Sequence, residues 1–383
     1  MVKNIALFLN SLESGGAERV VSRLSYGLKE NYNVYIFLIE NIKQFYECAG
    51  RIVIIGGTSS NYRINAVYAM LNINKYISTY KIDCVISFLD VPNIINSRFN
   101  HSSKKIISIR DCVERRRDIK QWICNHSFNN ADAMISVSQE LNNISIAQYS
   151  FDRNYAYTIE NPYNIDTIRA LSDEIIENEI LQFINSHRTA IAVGRLDEQK
   201  GYDDLIEIFC KVARKCPKAG LIILGEGKLK SEIERLILEY KMQDNIKLIG
   251  VKTNPFSYMA KCELYVSASR HEGFPNTLVE AMACRLPVIS TDCMTGPREI
   301  LADQYAMEMN QNVYAQYGII VPSYTRKQVT RDKTLNEFAE AWIQMLNSEE
   351  IMIRYKRVSE KRARFYSMER CIMNYVDAIE NTD

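Results

Sequence analysis

The sequence has 383 residues, more than one ordinary domain needs, so two domains are expected. Its formal net charge of +1 argues against nucleic-acid binding driven by bulk electrostatics. The ten cysteines form no C-x-x-C pair and no Cys/His cluster with zinc spacing, so reduced, mostly buried thiols of a cytoplasmic protein are expected. The apolar run IALFL near the N terminus is too short to predict a signal peptide or a membrane span.

Strand-like apolar runs alternate with helical stretches along the chain. The first series runs from NIALFL to AYTI, halts in the polar segment 160–188, and restarts from TAIAVG to YGIIVP. This alternation predicts an α/β fold with mainly parallel sheets that carry helices on both faces. We therefore expect two similar Rossmann-like domains, at 1–165 and 166–352. Residues 353–383 have the length and helical spacing to cross back onto the first domain.

Glycines follow the first predicted strand. In an open α/β sheet, ligands bind beyond the carboxyl ends of the strands, so the loops after strands are the candidate sites. Gly15 and Gly16 would let the backbone approach a ligand closely, although a plain turn is equally compatible with them. They do not complete the G-x-G-x-x-G fingerprint that is typical of dinucleotide binding.

Two cations lie in the loop GRLDEQKG, which follows the first strand of the second half. Arg195 and Lys200 could together clamp a diphosphate, because both would project from one loop at the end of a strand. A solvated charged loop is the alternative interpretation.

Two carboxylates flank the turn in RHEGFPNTLVEAMA. The preceding ELYVSAS has the pattern of a buried strand, which places Glu272 at the carboxyl end of that strand. Asn276 is the expected N-cap, so Glu280 is expected in the first turn of the next helix. Because the N–H groups at a helix start favour anions, the two acids border a potential phosphate site and need hydroxyl partners. A sugar and a ribose joined by a diphosphate would meet these needs.

Other reactive residue types show no catalytic or metal-binding spacing. There is no H-E-x-x-H, no D-x-D and no G-x-S-x-G nucleophile elbow, so no bound metal is expected. In GPREIL, Arg298 and Glu299 could simply be surface charges. The four histidines are scattered and are expected to be non-ligands: His101, His126, His187 and His271.

The motifs SLESGGAERV, GRLDEQKG and HEGFPNTLVEAMACRLPVIST, in this order, resemble those of the retaining glycosyltransferases of family four. STDCMTGPREIL is similar to a subgroup that makes bacterial capsule, O-antigen and exopolysaccharide. The resemblance covers nearly the whole chain. It implies the GT-B fold, in which two Rossmann-like domains face each other across a cleft: an N-terminal acceptor domain, a C-terminal nucleotide-sugar domain and a C-terminal helix that packs back on the first.

The resemblance also implies an activity. A hexosyltransferase would move a sugar from a nucleotide-sugar donor, expected to be UDP-linked, to a glycan or lipid-linked oligosaccharide. It would retain the anomeric configuration and use no metal or other cofactor. A nucleotide-sugar epimerase or hydrolase of the same fold is one alternative, and an inactive binding subunit of a polysaccharide assembly is another.

Each site residue receives a role from the same resemblance. Arg195 and Lys200 would neutralise the diphosphate and Glu272 would hold the sugar, which makes these three the expected catalytic residues. Glu280 would bind the ribose. The other expected donor-binding positions are Gly15, Gly16, Gly250, Val251, Gly273, Phe274, Asn276, Thr277 and Leu278.

The sequence departs from the family pattern in three places. Many relatives have a histidine after a first-domain strand, whereas SIRDCVERRRD offers Arg110 and Asp111, which we assign to the acceptor side. Arg285 replaces the glycine that usually ends the helix after Glu280, which predicts a slightly strained turn. The segment ADQYAMEMNQNVYAQYG is longer than the usual connection.

A basic stretch predicts peripheral association with the cytoplasmic face of the inner membrane. Residues Arg98–Lys120 include SSKK and ERRRDIK, which anionic lipid would attract. The neighbouring Trp122, Ile123 and Phe128 could then sit at the level of the lipid headgroups. A solvated helical face is the alternative.

Overall fold

The chain folds into two compact units, each built on a seven-stranded sheet. The computed structural model describes residues 2–13, 15–42, 46–111, 119–302, 308–327 and 329–381, with only the backbone of residues 119 and 120. The first unit comprises Met1–Tyr163 and Tyr366–Asp383, and the second unit comprises Asn164–Phe365. The predicted α/β class with two Rossmann-like domains is confirmed.

The first unit contains a parallel sheet in the order β3-β2-β1-β4-β5-β6-β7. Its strands are β1 (Asn4–Leu9), β2 (Asn33–Leu38), β3 (Arg51–Ile54), β4 (Cys84–Phe88), β5 (Lys104–Ile109), β6 (Ala133–Ser136) and β7 (Ala156–Thr158). The helices that connect them are α1 (Gly16–Leu28), α2 (Tyr62–Tyr80), α3 (Asp90–Phe99), α4 (Ile119–Phe128) and α5 (Gln139–Tyr149).

The second unit repeats this plan, with strand order β10-β9-β8-β11-β12-β14-β13. Its strands are β8 (Arg188–Val193), β9 (Ala219–Leu224), β10 (Ile246–Leu248), β11 (Leu264–Ser267), β12 (Val288–Thr291), β13 (Val313–Tyr314) and β14 (Ile319–Val321). Its helices are α6 (Ile165–Ser172), α7 (Asn178–Ser186), α8 (Tyr202–Lys215), α9 (Lys230–Glu239), α10 (Phe256–Met259), α11 (Asn276–Ala283), α12 (Pro297–Ala302), α13 (Arg331–Asn347) and α14 (Glu349–Arg364); α15 (Met368–Glu380) follows in the first unit.

Strand β1 shows why the strands of the first unit are apolar throughout. Successive side chains of a strand point to opposite faces. Ile5, Leu7 and Leu9 join the core that α1 and α15 cover, whereas Ala6 and Phe8 join the core under α2. With helices on both faces, a central strand has no solvent side, and all five residues of β1 named here are fully buried.

The long connection before β14 adds an edge strand. Its residues 303–307 lie outside the described part of the chain, and its last part forms β13, which pairs antiparallel with β14. The additional length in this connection therefore includes a short hairpin at one edge of the second sheet.

The C-terminal region consists of two helices that belong to different units. α14 packs against α11 in the second unit, and α15 supplies Tyr375 and Ile379 to the core of the first. The predicted boundary at 352/353 thus falls inside α14. The chain changes units at Phe365, and Ser367 then caps α15 by accepting a hydrogen bond from the Arg370 N–H.

The structure bears on the stretch predicted to meet a membrane. Phe128 is fully buried, so the expectation that it reaches the headgroups is wrong, whereas Trp122 is exposed. Residues 112–118, which include the three consecutive arginines of this stretch, lie outside the described residues. Within the described ranges, no helix is both long enough and apolar enough to cross a bilayer.

Candidate functional site

The loop between β8 and α8 presents Lys200 at the end of a short 3-10 turn, Glu198–Lys200. Gly201 follows with φ of +62°, in the left-handed region that favours glycine. A Cβ at this position would come within 2.3 Å of the Ala268 carbonyl oxygen. The glycine therefore lets the turn lie directly against the chain that leaves β11.

Hydrogen bonds fasten this turn to the loop after β11. The backbone N–H of Arg270 donates to the carbonyl oxygen of Gln199 at 2.7 Å, and its guanidinium donates to that of Glu198 at 3.0 Å. The Gln199 amide donates to the His271 carbonyl oxygen at 2.9 Å. Two loops that are far apart in sequence thus form one surface at the carboxyl ends of adjacent strands, β8 and β11.

Lys200 and Glu272 form an ion pair on this surface. Their Nζ and Oε1 atoms are 2.6 Å apart, and the two side chains are 18% and 9% exposed. The sequence predicts separate ligand contacts for these residues, the diphosphate and the sugar, whereas the structure shows them bonded to each other. A buried ion pair of this kind holds both charged groups in place.

The turn that carries Glu272 is fixed from its other side by the loop after β12. The Glu272 N–H donates to the Met294 carbonyl oxygen at 2.7 Å, and the Thr295 N–H donates to that of Glu272 at 2.7 Å. The Thr295 hydroxyl lies 2.7 Å from the carbonyl oxygen of Gly273. The backbone at Glu272 and Gly273 is therefore held on both sides.

Helix α11 begins at Asn276, and Pro275 is its N-cap, without a side-chain hydrogen bond to the first turn. The predicted N-cap at Asn276 is wrong by one position, because the helix starts directly after the proline. Glu280 therefore lies in the second turn, where it is 1% exposed. The Leu278 N–H donates to the Pro275 carbonyl oxygen at 3.0 Å, and the positive end of the helix dipole at this start favours an anionic ligand.

A buried tyrosine lies within electrostatic reach of both carboxylates. Burial, together with the negative charges of Glu272 and Glu280, raises the pKa of Tyr265, so its phenol stays protonated at neutral pH. Its hydroxyl donates to the Val193 carbonyl oxygen at 3.4 Å. Tyr265 is therefore uncharged beneath α11. The acidic groups that the sequence predicts for this surface are the carboxylates of Glu272 and Glu280.

Comparison with known proteins identifies the family. Residues 173–358 match the family model described as glycosyl transferases group 1. An uncharacterised glycosyltransferase of Methanocaldococcus jannaschii is 33% identical over 334 residues, which cover 80% of this chain and 82% of that protein. The chain belongs to the group 1 glycosyltransferases.

Two further comparisons agree with this assignment. The glycosyltransferase is 27% identical to a Campylobacter jejuni protein over 383 residues, which cover 95% of this chain and 96% of that one. The relative is named N-acetylgalactosamine-N,N'-diacetylbacillosaminyl-diphospho-undecaprenol 4-alpha-N-acetylgalactosaminyltransferase. The crystal structure of Anabaena HepE with UDP and glucose has a TM-score of 0.77 at 15% identity, covering 99% of this chain and 100% of that chain. The fold predicted from the resemblance is confirmed as GT-B.

The remaining predicted donor-binding positions of this glycosyltransferase differ in accessibility. Arg195 is 72% exposed, with its guanidinium 3.4 Å from the Asp197 carboxylate. Gly250 has φ of +72° and open space where a Cβ would project, and the adjacent Val251 is exposed. Leu278 is fully buried, and its backbone N–H donates to the Pro275 carbonyl oxygen at 3.0 Å.

Four predicted residues lie in the first unit. Gly15 is the N-cap of α1 and Gly16 its first residue, and a Cβ at Gly15 would come within 2.0 Å of the Glu18 carboxylate. Arg110 follows β5, donates to the Asn161 side chain, and has its guanidinium 5.8 Å from the centre of the Phe88 ring. Asp111 is exposed beside it.

A buried arginine was missed by the sequence interpretation. Arg298 is 3% exposed, so its assignment as a surface charge is wrong. Its guanidinium donates to both carboxylate oxygens of Asp292 at 2.6 Å, and Arg326 lies 3.3 Å from the same carboxylate. No sequence rule indicates this pairing, because the six-residue separation spans a turn and is not a helical spacing.

Metal ligands do not cluster in the part of the chain that the structure describes. Within those ranges, no group of three or more His, Cys, Asp or Glu side chains could hold a metal ion.

Proposed function

We propose that this glycosyltransferase transfers a sugar from a UDP-linked donor to a lipid-linked oligosaccharide of a bacterial surface polysaccharide, such as capsule or O-antigen. The reaction retains the anomeric configuration, uses no metal and takes place at the cytoplasmic face of the inner membrane. The observation that carries the proposal is the Lys200–Glu272 pair beside the start of α11. The Campylobacter relative named for a diphospho-undecaprenol substrate, and the HepE structure with UDP and glucose, support the substrate classes.

The donor diphosphate would lie between Lys200 and the start of α11. A lysine ammonium has three N–H donors, so Lys200 can keep one bond to Glu272 and direct the others to phosphate oxygens. The positive end of the α11 dipole would add further attraction for the diphosphate. Arg195 is free to move because its side chain is largely exposed, and it would turn toward the diphosphate when the donor binds.

The two carboxylates would bind the two sugars of the donor. Glu272 is held rigidly by its backbone and by Lys200, which suits a group that orients the transferred sugar. Glu280 is almost fully buried and would accept hydrogen bonds from the ribose hydroxyls. Gly250 and Val251 leave open space where the base would rest.

Catalysis would come from groups that stabilise the departing diphosphate. When the bond between the sugar and the phosphate breaks, negative charge grows on the leaving group, and donors aimed at it bind the transition state better than the ground state. Lys200, Arg195 and the start of α11 would supply this stabilisation without a metal. Arg110 and Asp111 would contact the acceptor from the first unit.

Initial rates against donor concentration test these roles. Lys200→Met should lower kcat on the order of 10²–10³-fold, the typical loss for one preorganised donor. Glu280→Gln should chiefly raise the donor KM, because a ribose contact changes little during the reaction. Lys215→Met, at the exposed end of α8, is the matched control and should leave both constants unchanged.

The nature of the reaction is tested separately. A time course with acceptor should yield a product whose anomeric configuration, read by NMR coupling constants, matches that of the donor. Without acceptor, an epimerase would convert the donor completely and a hydrolase would release free sugar at the full rate; either result would exclude the proposed transferase. Stabilisation by UDP, about 2.7 kcal/mol at a hundred times Kd, should fall to about 1.4 kcal/mol in Glu280→Gln at the same UDP concentration if loss of the ribose contact raises Kd about tenfold.

A further inference from the structure

Helix α2 exposes a row of large apolar side chains to solvent. Leu71 is 73% exposed and Ile64 is 57% exposed, and Val67 and Tyr68 are exposed as well. Their spacing of three and four residues places all four on one face of the helix, which we call the apolar stripe. Single exposed apolar residues are ordinary on protein surfaces, but a contiguous row of them marks an interaction site.

The opposite face of α2 already has a partner within the first unit. Ala69, Ile73 and Ile77 are buried in the core that also contains Phe8 and Phe37 of the sheet. The helix is therefore apolar on two faces, and the sheet explains only one of them. Folding of the first unit does not require the apolar stripe, so its four side chains need another explanation.

The charge of α2 indicates the kind of partner. Its sequence, YRINAVYAMLNINKYISTY, contains no Asp or Glu. The cations Arg63 and Lys75 are both exposed, one at each end of the stripe. A helix with an apolar face, basic flanks and no acidic residue is typical of helices that lie in the interface of a membrane. Tyr68 fits the same surface, because tyrosine is enriched where acyl chains meet headgroups.

The neighbouring helices extend this surface. α3 packs against both α2 and α4, so the three helices form one layer of the first unit. Trp122 of α4, whose indole is exposed, belongs to that layer. A second copy of the chain fits the stripe less well, because a symmetric contact along α2 would bring the cations of both copies to one interface with no acid on the helix to balance them.

We propose that α2 lies flat in the headgroup region of a bilayer that contains anionic lipid. Ile64, Val67, Tyr68 and Leu71 enter the acyl boundary, and Arg63 and Lys75 meet lipid phosphates. This inference rests on the proposed function, because binding of α2 to the membrane would bring the enzyme within reach of a lipid-linked acceptor. It locates the membrane contact on α2 rather than on the basic stretch at 98–120.

Vesicle sedimentation of the full chain tests the apolar part. The vesicles contain phosphatidylcholine with or without phosphatidylglycerol, and no acceptor. Val67→Gln/Leu71→Gln should weaken partitioning to anionic vesicles by at least about tenfold, because two apolar side chains no longer leave water. Leu238→Gln is the control, since Leu238 is 59% exposed on α9 of the second unit. Both substitutions are at exposed positions, and an unchanged melting temperature verifies folding.

The cations are tested on the same vesicles. Arg63→Gln and Lys75→Gln should each weaken binding about fivefold with phosphatidylglycerol, and neither should matter with phosphatidylcholine alone. Lys215→Gln, on the second unit, is the control. Salt should weaken the binding of the wild-type protein to anionic vesicles.

Several outcomes would overturn the proposal. One is binding of the Val67→Gln/Leu71→Gln protein as tight as that of the wild-type protein. Another is a change from dimer to monomer in light scattering with vesicle binding unaltered, which would make the stripe an interface between copies. Stabilisation by UDP is measured in parallel without vesicles. If UDP does not stabilise the wild-type protein, that result counts against the proposed donor site and not against the membrane contact of α2. The two proposals can therefore fail separately.

Discussion

Replacing Lys200 by methionine tests whether the candidate site is held together by one buried ion pair. Methionine keeps the length and apolar stem of the lysine and removes its charge. Glu272 would then be a carboxylate, 9% exposed, without the ammonium that lies 2.6 Å away in the intact protein. The Glu272 backbone is fixed by Met294 and Thr295, so the carboxylate cannot simply swing into solvent.

The size of the effect follows from this burial. At 2.6 Å, and with an effective dielectric constant of about 20, the gross attraction between the two charges is about 6 kcal/mol. Desolvation offsets most of it in the intact pair, but a variant that removes one partner keeps the cost and loses the attraction. We therefore expect Lys200→Met to lower the free energy of unfolding of the second unit by about 3–5 kcal/mol.

The double variant separates the charge from the shape of the side chain. Lys200→Met/Glu272→Gln removes both charges, so it should recover about 2 kcal/mol of what Lys200→Met loses, within the range measured for groups in direct contact. Lys215→Met should change the free energy of unfolding by less than about 0.5 kcal/mol, because Lys215 is exposed at a helix end and its removal leaves no buried charge without a counter-charge.

Tryptophan fluorescence can follow the second unit alone. The chain has two tryptophans: Trp342 is fully buried in the second unit, and Trp122 is exposed in the first. In a Trp122→Phe background, denaturant unfolding read by fluorescence reports the surroundings of Trp342. The reasoning from burial is wrong if Lys200→Met lowers the free energy of unfolding by less than about 1 kcal/mol and the double variant recovers none of it. Glu272 would then not be a buried charge that depends on Lys200.

Three further predictions concern chemistry and stability. Activity should persist in EDTA, because the proposed site meets the leaving-group charge with side chains and backbone N–H groups; a strict need for Mg²⁺ or Mn²⁺ would contradict this. A chain ending at Met352 loses most of α14 and all of α15, so it should be insoluble or unfolded, and a soluble, fully active truncation would show otherwise. Hydrogen bonds from Lys252 and Tyr258 lower the pKa of Glu177 from 4.5 to about 2, so this carboxylate contributes stability that is present above pH 4.5 and lost as the pH falls toward 2. Glu177→Gln should flatten the acid limb of the stability curve over that range, and an unchanged limb would refute the assignment.

The architecture and the site segments could be predicted because their signals are local. Apolar runs bounded by turn residues mark strands. Gly201 marks a turn that requires the left-handed backbone conformation, which glycine adopts readily. Arg285 is a further example: in place of the usual glycine it has φ of +64°, the strained conformation that the substitution predicts. Its side chain is 2.5 Å from Glu360 of α14, a contact that the local pattern could not show.

The contacts across the fold could not be predicted, for a physical reason. Lys200 and Glu272 meet because β8 and β11 are neighbours in the sheet, which depends on strand order and not on any nearby residue. The basic run before Phe128 favours a membrane contact, yet the helix directs this side chain into the core. The sequence alone does not indicate the stripe on α2, since a helix that is apolar on two faces shows no clean periodicity.

The return of α15 to the first unit determines the order in which the units can be completed during synthesis. Tyr375 and Ile379, which fill the core beside β1, are translated after every residue of the second unit. A nascent chain can therefore finish the second unit while the first still exposes the apolar surface that α15 will cover. On a ribosome that stalls before Tyr366, this apolar surface would be open to chaperones. The first unit is synthesised first, but its core is completed last.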